Sequence, residues 1–231
     1  MHNLAIIPAR GGSKRIPHKN IKDFLGKPII AYSIEAALKS GLFDEIMVST
    51  DDEKIAEVAK KYGAEVPFLR SKKNSDDFAT TVDVLLEVIE QYEQIGKYYH
   101  EACCIYSTAP FISPERLKQG FQKLLTEKRS SVFSVVPFSY PIWRGVRKNV
   151  DGKFQMVWPT NLNKRSQDLD EIYHDTGQWY WFSVDNFKKN KTIFSDNSSA
   201  IILDPMEVQD IDTINDWKIA EFKYEYLQST K

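Results

Sequence analysis

The chain has 231 residues, 42% of them hydrophobic, enough to bury the core of one sizeable α/β domain. Its 31 basic and 32 acidic residues leave a net charge of −1, so no overall field draws it to nucleic acid, and any anion it holds must meet a local cluster. No apolar run approaches the roughly 20 residues that span a bilayer, and "MHNLAIIPAR" lacks a long signal-type core, so a cytoplasmic protein without membrane attachment is expected.

Residues 4–8, "LAIIP", form a continuous apolar run that opens into a glycine-bearing loop, the pattern of a strand buried on both faces of a parallel sheet. A helix is expected from Pro28, at its first position, through "IIAYSIEAALKS" to a stop at Gly41. "EIMVST" (45–50) reads as a second strand, and the acidic "DDE" (51–53) suits the N-terminal end of a helix that stops on Gly63. A helix at 80–96, a strand at 102–107, a helix at 113–127 with Pro114 at its start and a strand at 131–137 continue the alternation. Cys103 and Cys104 are adjacent in the third strand, so their side chains point to opposite faces and read as core residues, not as a disulfide or a metal pair.

The texture changes after Pro137. Residues 138–170 hold Trp143, Trp158 and short alternating runs around "NVDGK", whose Asp151-Gly152 signals a hairpin. This segment is expected to leave the main sheet as an inserted arm that meets a second copy of the chain, because its aromatic side chains are costly to leave exposed. Strands at 178–184 and 199–204 and a helix over 214–227 then complete a single domain spanning 1–231.

Between the first strand and first helix lie Arg10, Lys14, Arg15, Lys19 and Lys22, with no acid until Asp23. A run of cations is ordinarily a solvated face. Here it follows a buried strand at the carboxyl edge of the sheet, where α/β proteins bind ligands, and Gly11-Gly12 allows backbone N–H groups to approach an anion. A polyphosphate supplies matching oxygens. The loop is neither G-x-x-x-x-G-K-[ST] nor G-x-G-x-x-G, and no helix begins at its glycines.

"IIPARGGSKRIPHKN" followed by "GKPIIAYSIEAA" resembles the nucleotide-binding signature of the CMP-sialic acid synthetase family, cytidylyltransferases that activate nine-carbon acidic sugars. The resemblance continues through "VSTDDEKIAEVAKKYGAEVPFLR", "YSTAPF", "RSQDLDEIYHDTGQWYW" and "VQDIDTINDW". Within the family, "YHDTGQWYWF" and the tyrosine of "IYSTAP" most resemble the branch acting on pseudaminic acid.

The resemblance implies a Rossmann-like, three-layer α/β/α nucleotidyltransferase with a mostly parallel sheet and a small β-hairpin insertion for dimerisation. It implies that Arg10, Ser13, Lys14 and Lys19, with the Gly11-Gly12 backbone, meet the phosphates of CTP, and that Asn20 lies near the ribose or base. Arg10 and Lys19 suit stabilisation of charge on the α-phosphate as pyrophosphate leaves. Arg70 would approach cytosine, with Ala79 and Thr81 beside it; an ion pair of Arg70 with Asp76 or Asp77 is the competing reading.

Asp210 and Asp212 are the magnesium candidates, since carboxylates two apart on an extended segment share a face. Alternatively, Asp212 or Thr213 caps the following helix with Asp216. Arg165 or Lys164 would meet the sugar carboxylate. Tyr106 stands where sialic-acid enzymes carry a glutamine, and His174, Asp175 and Gln178 would contact a differently substituted sugar. Nothing in the chain has the context of an activated nucleophile.

The expected reaction is therefore CMP transfer from CTP to pseudaminic acid, for surface glycan or flagellin glycosylation, by a homodimer. Legionaminic, sialic and 3-deoxy-octulosonic acids are alternative acceptors. A glycosyltransferase using Asp210-Ile211-Asp212, or a nucleotide sensor without turnover, are alternatives of other classes.

Overall fold

The computed structural model describes residues 2–76 and 78–230. Its first strand is β1 (Asn3–Pro8). A minute ribbon of β2 (Asp23–Phe24) and β3 (Lys27–Pro28) precedes α1 (Ile29–Ser40), which is followed by β4 (Glu45–Ser49), α2 (Glu53–Lys61) and α3 (Thr81–Gln94). The chain continues through β5 (Glu101–Ile105), α4 (Pro114–Thr126), β6 (Ser131–Pro137), β7 (Val146–Lys148) and β8 (Phe154–Met156). It ends with β9 (Tyr173–Ser183), α5 (Val184–Asn190), β10 (Ser198–Ile202) and α6 (Ile214–Ser229).

Six strands form one sheet in the order β10-β6-β9-β5-β1-β4, with β9 antiparallel to both neighbours and every other pairing parallel. The continuous apolar runs arise because helices cover both faces. Ala5 and Ile7 of β1 pack with Ile30 and Ile34 of α1, Ile55 of α2 and Leu117 of α4. Leu4 and Ile6 pack on the other face with Leu85 and Val88 of α3 and Phe187 of α5. Cys103 and Cys104 divide between these two cores as free thiols, and burial pushes both up in pKa. On β9 the same alternation sends Trp179 and Trp181 one way and Tyr180 and Phe182 the other.

Three local readings are corrected. Pro28 is not the first helical residue: paired with Asp23 in the small ribbon, it keeps an extended ψ of 136° and only flanks the helix. The strand expected at 178–184 begins at Tyr173, and Val184 instead opens α5, whose Val184 and Phe187 are buried beneath the sheet. Periodicity missed that short, lysine-rich helix because tertiary burial, not its own pattern, stabilises it. The "DTGQ" stretch is a bulge: from Phe133↔Tyr180 to Val135↔Asp175 the register advances two residues on β6 and five on β9. Gly177 makes this possible with φ of +61°, where a side chain is strained.

Residues 138–170 lie off the main sheet, with β7 and β8 paired as a separate two-stranded antiparallel ribbon. Asn149 organises its turn, accepting at its carbonyl from Gly152 N–H and at its side chain from Lys153 N–H. Tyr140, Val150, Phe154 and Leu162 are exposed along this segment. Among the described residues, no helix is long and apolar enough to cross a membrane.

At the opposite edge from the strand carboxyl ends, Glu101 carries a buried carboxyl oxygen without a hydrogen-bond partner among the described residues. Burial, then the neighbouring Asp185, pushes its carboxyl up to about 7 from the ordinary 4.5. The native state therefore holds this proton more tightly than the unfolded chain, and stability falls as pH rises from 4.5 to about 7. Glu101→Gln is expected to raise the melting temperature at pH 8 and to lose that advantage towards pH 4.5. Thermal melts at both pH values check this; an equal gain at both would assign the effect to packing instead of charge.

Candidate active site

A cleft of about 440 Å³ opens at the carboxyl ends of β1 and β5, lined by Pro8, the cationic loop, the start of α3, residues 106–108 and Asp212. The loop's path is set by two buried anchors. Ile16 packs with Phe24, Ile211 and Trp217, joining the loop to α6. Asn20 donates its amide to the Arg10 carbonyl at 2.8 Å and accepts from Ser107 Oγ at 2.8 Å. With those residues held inward, Arg10, Ser13, Lys14, Arg15 and Lys19 border the cleft.

Gly11 is required by close approach. A Cβ there would sit 2.8 Å from Oδ2 of Asp52, whose Oδ1 caps α2 by accepting from the N–H groups of Lys54 and Ile55. The Gly11 N–H already donates to Asp51, so in this arrangement it is not offered to an anion, and neither Gly11 nor Gly12 is among the lining residues.

Asp212 faces the loop's cations. Arg15 donates both terminal nitrogens to its carboxylate, at 2.9 and 2.8 Å, and Lys19 Nζ lies 3.8 Å away. Lys19 also donates to the Ile211 carbonyl at 2.7 Å. Burial holds the Lys19 amine below the ordinary lysine value, opposed by Asp212 and Asp210, whereas burial and then Asp212 push the Asp210 carboxyl up. Ile211 between them is buried and pins the segment. Helix capping does not use Asp212: Thr213 and Asp216 form the reciprocal capping box of α6, leaving the Asp212 carboxylate to the cleft.

Arg70 is buried, with Nε on Ser49 Oγ and Nη2 on the Ser49 carbonyl, and burial lowers its pKa. Asp76, the rival partner, accepts instead from the N–H groups of Phe78 and Ala79, while Asp77 lies outside the described residues. Arg10 donates to the Asp76 carbonyl at 2.9 Å. Ala79, Thr81 and Tyr106 complete this end of the cleft; the Tyr106 hydroxyl is 3.1 Å from Thr81 Oγ1, and burial pushes its pKa up to about 12.

The remaining expected sugar contacts lie elsewhere. Arg165 is exposed and paired with Asp168 through two hydrogen bonds of 2.7 and 3.0 Å. His174 is exposed, its ring 4.7 Å from that of Phe138, and neither residue nor Lys164 borders the cleft. Gln178 is buried with its amide committed to the Glu207 carbonyl at 2.6 Å. Thus Arg10, Ser13, Lys14, Lys19, Asn20, Arg70, Ala79, Thr81, Tyr106 and Asp212 converge, while Gly11, Gly12, Asp210, Arg165, His174 and Gln178 do not line this space. Arg15, Thr80 and Ser107 also line it and escaped the site reading. The one available signal was position: Arg15 within the cation run, and Ser107 just beyond a buried strand.

A mostly parallel sheet with cations and a carboxylate meeting at its carboxyl edge defines a nucleotide-binding α/β protein, and the family is explicit. The family model described as Cytidylyltransferase matches residues 4–212, and the chain belongs to that family of nucleotidyltransferases, which use CTP as co-substrate. It is 46% identical over 224 residues to the pseudaminic acid cytidylyltransferase of Campylobacter jejuni, covering 97% of each chain. It is 35% identical to the CMP-N,N'-diacetyllegionaminic acid synthase of Legionella pneumophila, covering 96% of this chain and 95% of that one. The solved structure of CMP:2-keto-3-deoxy-manno-octonic acid synthetase complexed with CTP shares the fold, with a TM-score of 0.70 at 18% identity over 99% of this chain and 100% of that one. Family membership sets the glycosyltransferase reading aside.

Proposed function

We propose that this chain transfers CMP from CTP to the anomeric hydroxyl of pseudaminic acid, releasing pyrophosphate. The observation that carries the reading is the cleft itself, lined by a cationic loop, Asp212 and Tyr106, in a chain closely similar to pseudaminic acid cytidylyltransferase over nearly its full length. Arg10, Lys14, Arg15 and Lys19 neutralise the triphosphate, and Arg70 with Ala79 and Thr81 receives the base. The anomeric oxygen attacks the α-phosphorus in line as its hydroxyl proton passes to water. The bond from that phosphorus to the α,β-bridging oxygen breaks, and Arg10 and Lys19 meet the charge that develops.

Asp210 and Asp212 would hold magnesium. Two carboxylates suit a hard cation, and desolvation followed by the neighbouring Asp212 charge raises the pKa of Asp210, a repulsion that a cation would relieve. Among the described residues no group of three His, Cys, Asp or Glu gathers for a metal, so nucleotide oxygens and water would complete the shell. When bound, the ion supplies additional neutralisation of phosphate charge.

The exposed apolar side chains of the 138–170 arm would pair with a second copy, and the arm's Arg165 and nearby His174 would serve the sugar side of the assembled dimer. We place the enzyme in the cytoplasm, where CTP is available, with its product used in surface glycan or flagellin glycosylation. Steady-state pyrophosphate release, measured with CTP and each acid separately, tests the acceptor. Pseudaminic acid should exceed legionaminic, sialic and 3-deoxy-octulosonic acids in kcat/KM by at least ~10-fold, because a site built for one hydroxyl and amide pattern leaves polar groups unpaired with another. Equal or higher kcat/KM for another acid would overturn the assignment.

A further inference from the structure

The segment carrying Asp210 and Asp212 runs from a single turn at Pro205–Glu207 to α6 without strand or helix of its own. Ties from three packed elements hold it. From α4, Arg116 donates Nε and Nη2 to the two carboxylate oxygens of Glu207, at 3.0 and 3.1 Å. From α6, Lys223 Nζ donates to the carbonyls of Pro205 and Val208, at 3.1 and 2.7 Å. From β9, Gln178 Nε2 donates to the Glu207 carbonyl at 2.6 Å.

The third tie differs from the others. Gln178 is 3% exposed, whereas the Arg116 and Glu207 side chains are 29% and 31% exposed. A buried amide loses far more when its partner is removed than a solvated ion pair does. The Gln178 backbone carbonyl also accepts the Tyr106 N–H at 2.8 Å, so one residue joins the cleft-lining Tyr106 to the turn before the acidic segment. The bulge at Gly177, immediately before it, interrupts the strand register at this point.

We propose that Gln178 is a positioning residue that hangs the acidic segment on the central sheet and sets Asp210 and Asp212 in fixed relation to Tyr106. It therefore acts through the carboxylates and does not touch the sugar. The inference rests on the reading of Asp210 and Asp212 as the cation pair.

Manganese, used as a spectroscopic substitute, can be titrated by electron paramagnetic resonance into the full-length protein with CTP and no acceptor. Gln178→Ala is expected to weaken manganese binding at least ~10-fold and to lower kcat in parallel, the range found when groups supporting metal ligands are removed. KM for CTP should move less than ~3-fold, because the cationic loop is untouched. Gln178→Met, which keeps the length of the side chain but cannot donate to the Glu207 carbonyl, should weaken manganese binding in the same direction, and it decides the matter if Gln178→Ala does not fold.

Asp212→Asn is the control. If it weakens manganese binding while Gln178→Met and a folded Gln178→Ala bind as the parent does, the positioning role is overturned and the cation pair stands. Parent-like binding by Asp212→Asn as well would overturn both.

Discussion

Asp212→Asn is expected to lower turnover at least ~100-fold while the protein remains folded, an effect that belongs to kcat more than to KM. The structure separates this carboxylate from the duty most able to confuse the result. Thr213 and Asp216 cap α6, so the amide replacement leaves the helix start intact. What is lost is a negative charge against Arg15 at 2.8 Å and Lys19 at 3.8 Å. Without it those cations meet the triphosphate with less competition, so CTP binding should hold or tighten while the reacting geometry loses its anchor. Pyrophosphate release under saturating CTP measures this, with the melting temperature as the control for folding. Turnover within fivefold of the parent would remove Asp212 from the machinery, and activity that survives chelation of divalent ions would remove the metal role.

Replacing Lys19 by methionine should cost ~100- to 1,000-fold in kcat/KM, the scale of losing one preorganised charge stabiliser in a water-poor site. Methionine keeps much of the apolar stem, so packing against the loop changes little. The lysine also carries a pH signature. Burial lowers its amine pKa, so the parent should lose activity as pH rises through a value below 10.5, because the charged form does the work. In Lys19→Met that alkaline limb should disappear along with most of the rate. A limb unchanged in the variant would assign it to another group, such as Tyr106, whose hydroxyl is pushed up to about 12.

Much of this arrangement was legible before any coordinates. The two-sided apolar runs of β1, β4, β5 and β6 required helices on both faces, and the cations after β1 had to fall at the sheet's carboxyl edge because a parallel strand ends there. Adjacent Cys103 and Cys104 had to enter opposite cores because side chains alternate along a strand. The motif resemblance pointed to Arg10, Ser13, Lys14, Lys19, Asn20, Arg70, Ala79 and Thr81, which converge on one cleft. Gln178, Arg165 and His174, which it also pointed to, lie outside that cleft, because a motif records which residues stand together in sequence and not which atoms they satisfy.

Those choices belong to the fold. "HDTGQ" looked like a row of sugar contacts, yet a left-handed Gly177 makes it a bulge and buries Gln178 against Glu207. Asn20 lines the cleft, and its amide also closes the loop between Arg10 and Ser107, a duty that no motif announces. Arg15 and Asp212 are 197 positions apart, and no local pattern announces that they will pair. Periodicity and residue type act over a few neighbours and are therefore written in the sequence. The partner of a buried amide or a cleft carboxylate is set by desolvation and packing across the whole chain, and only the tertiary structure decides it. The loop "ARGGSKRIPHKN" shows both: its charge and place come from sequence, and its shape from Ile16 and Asn20 turned inward.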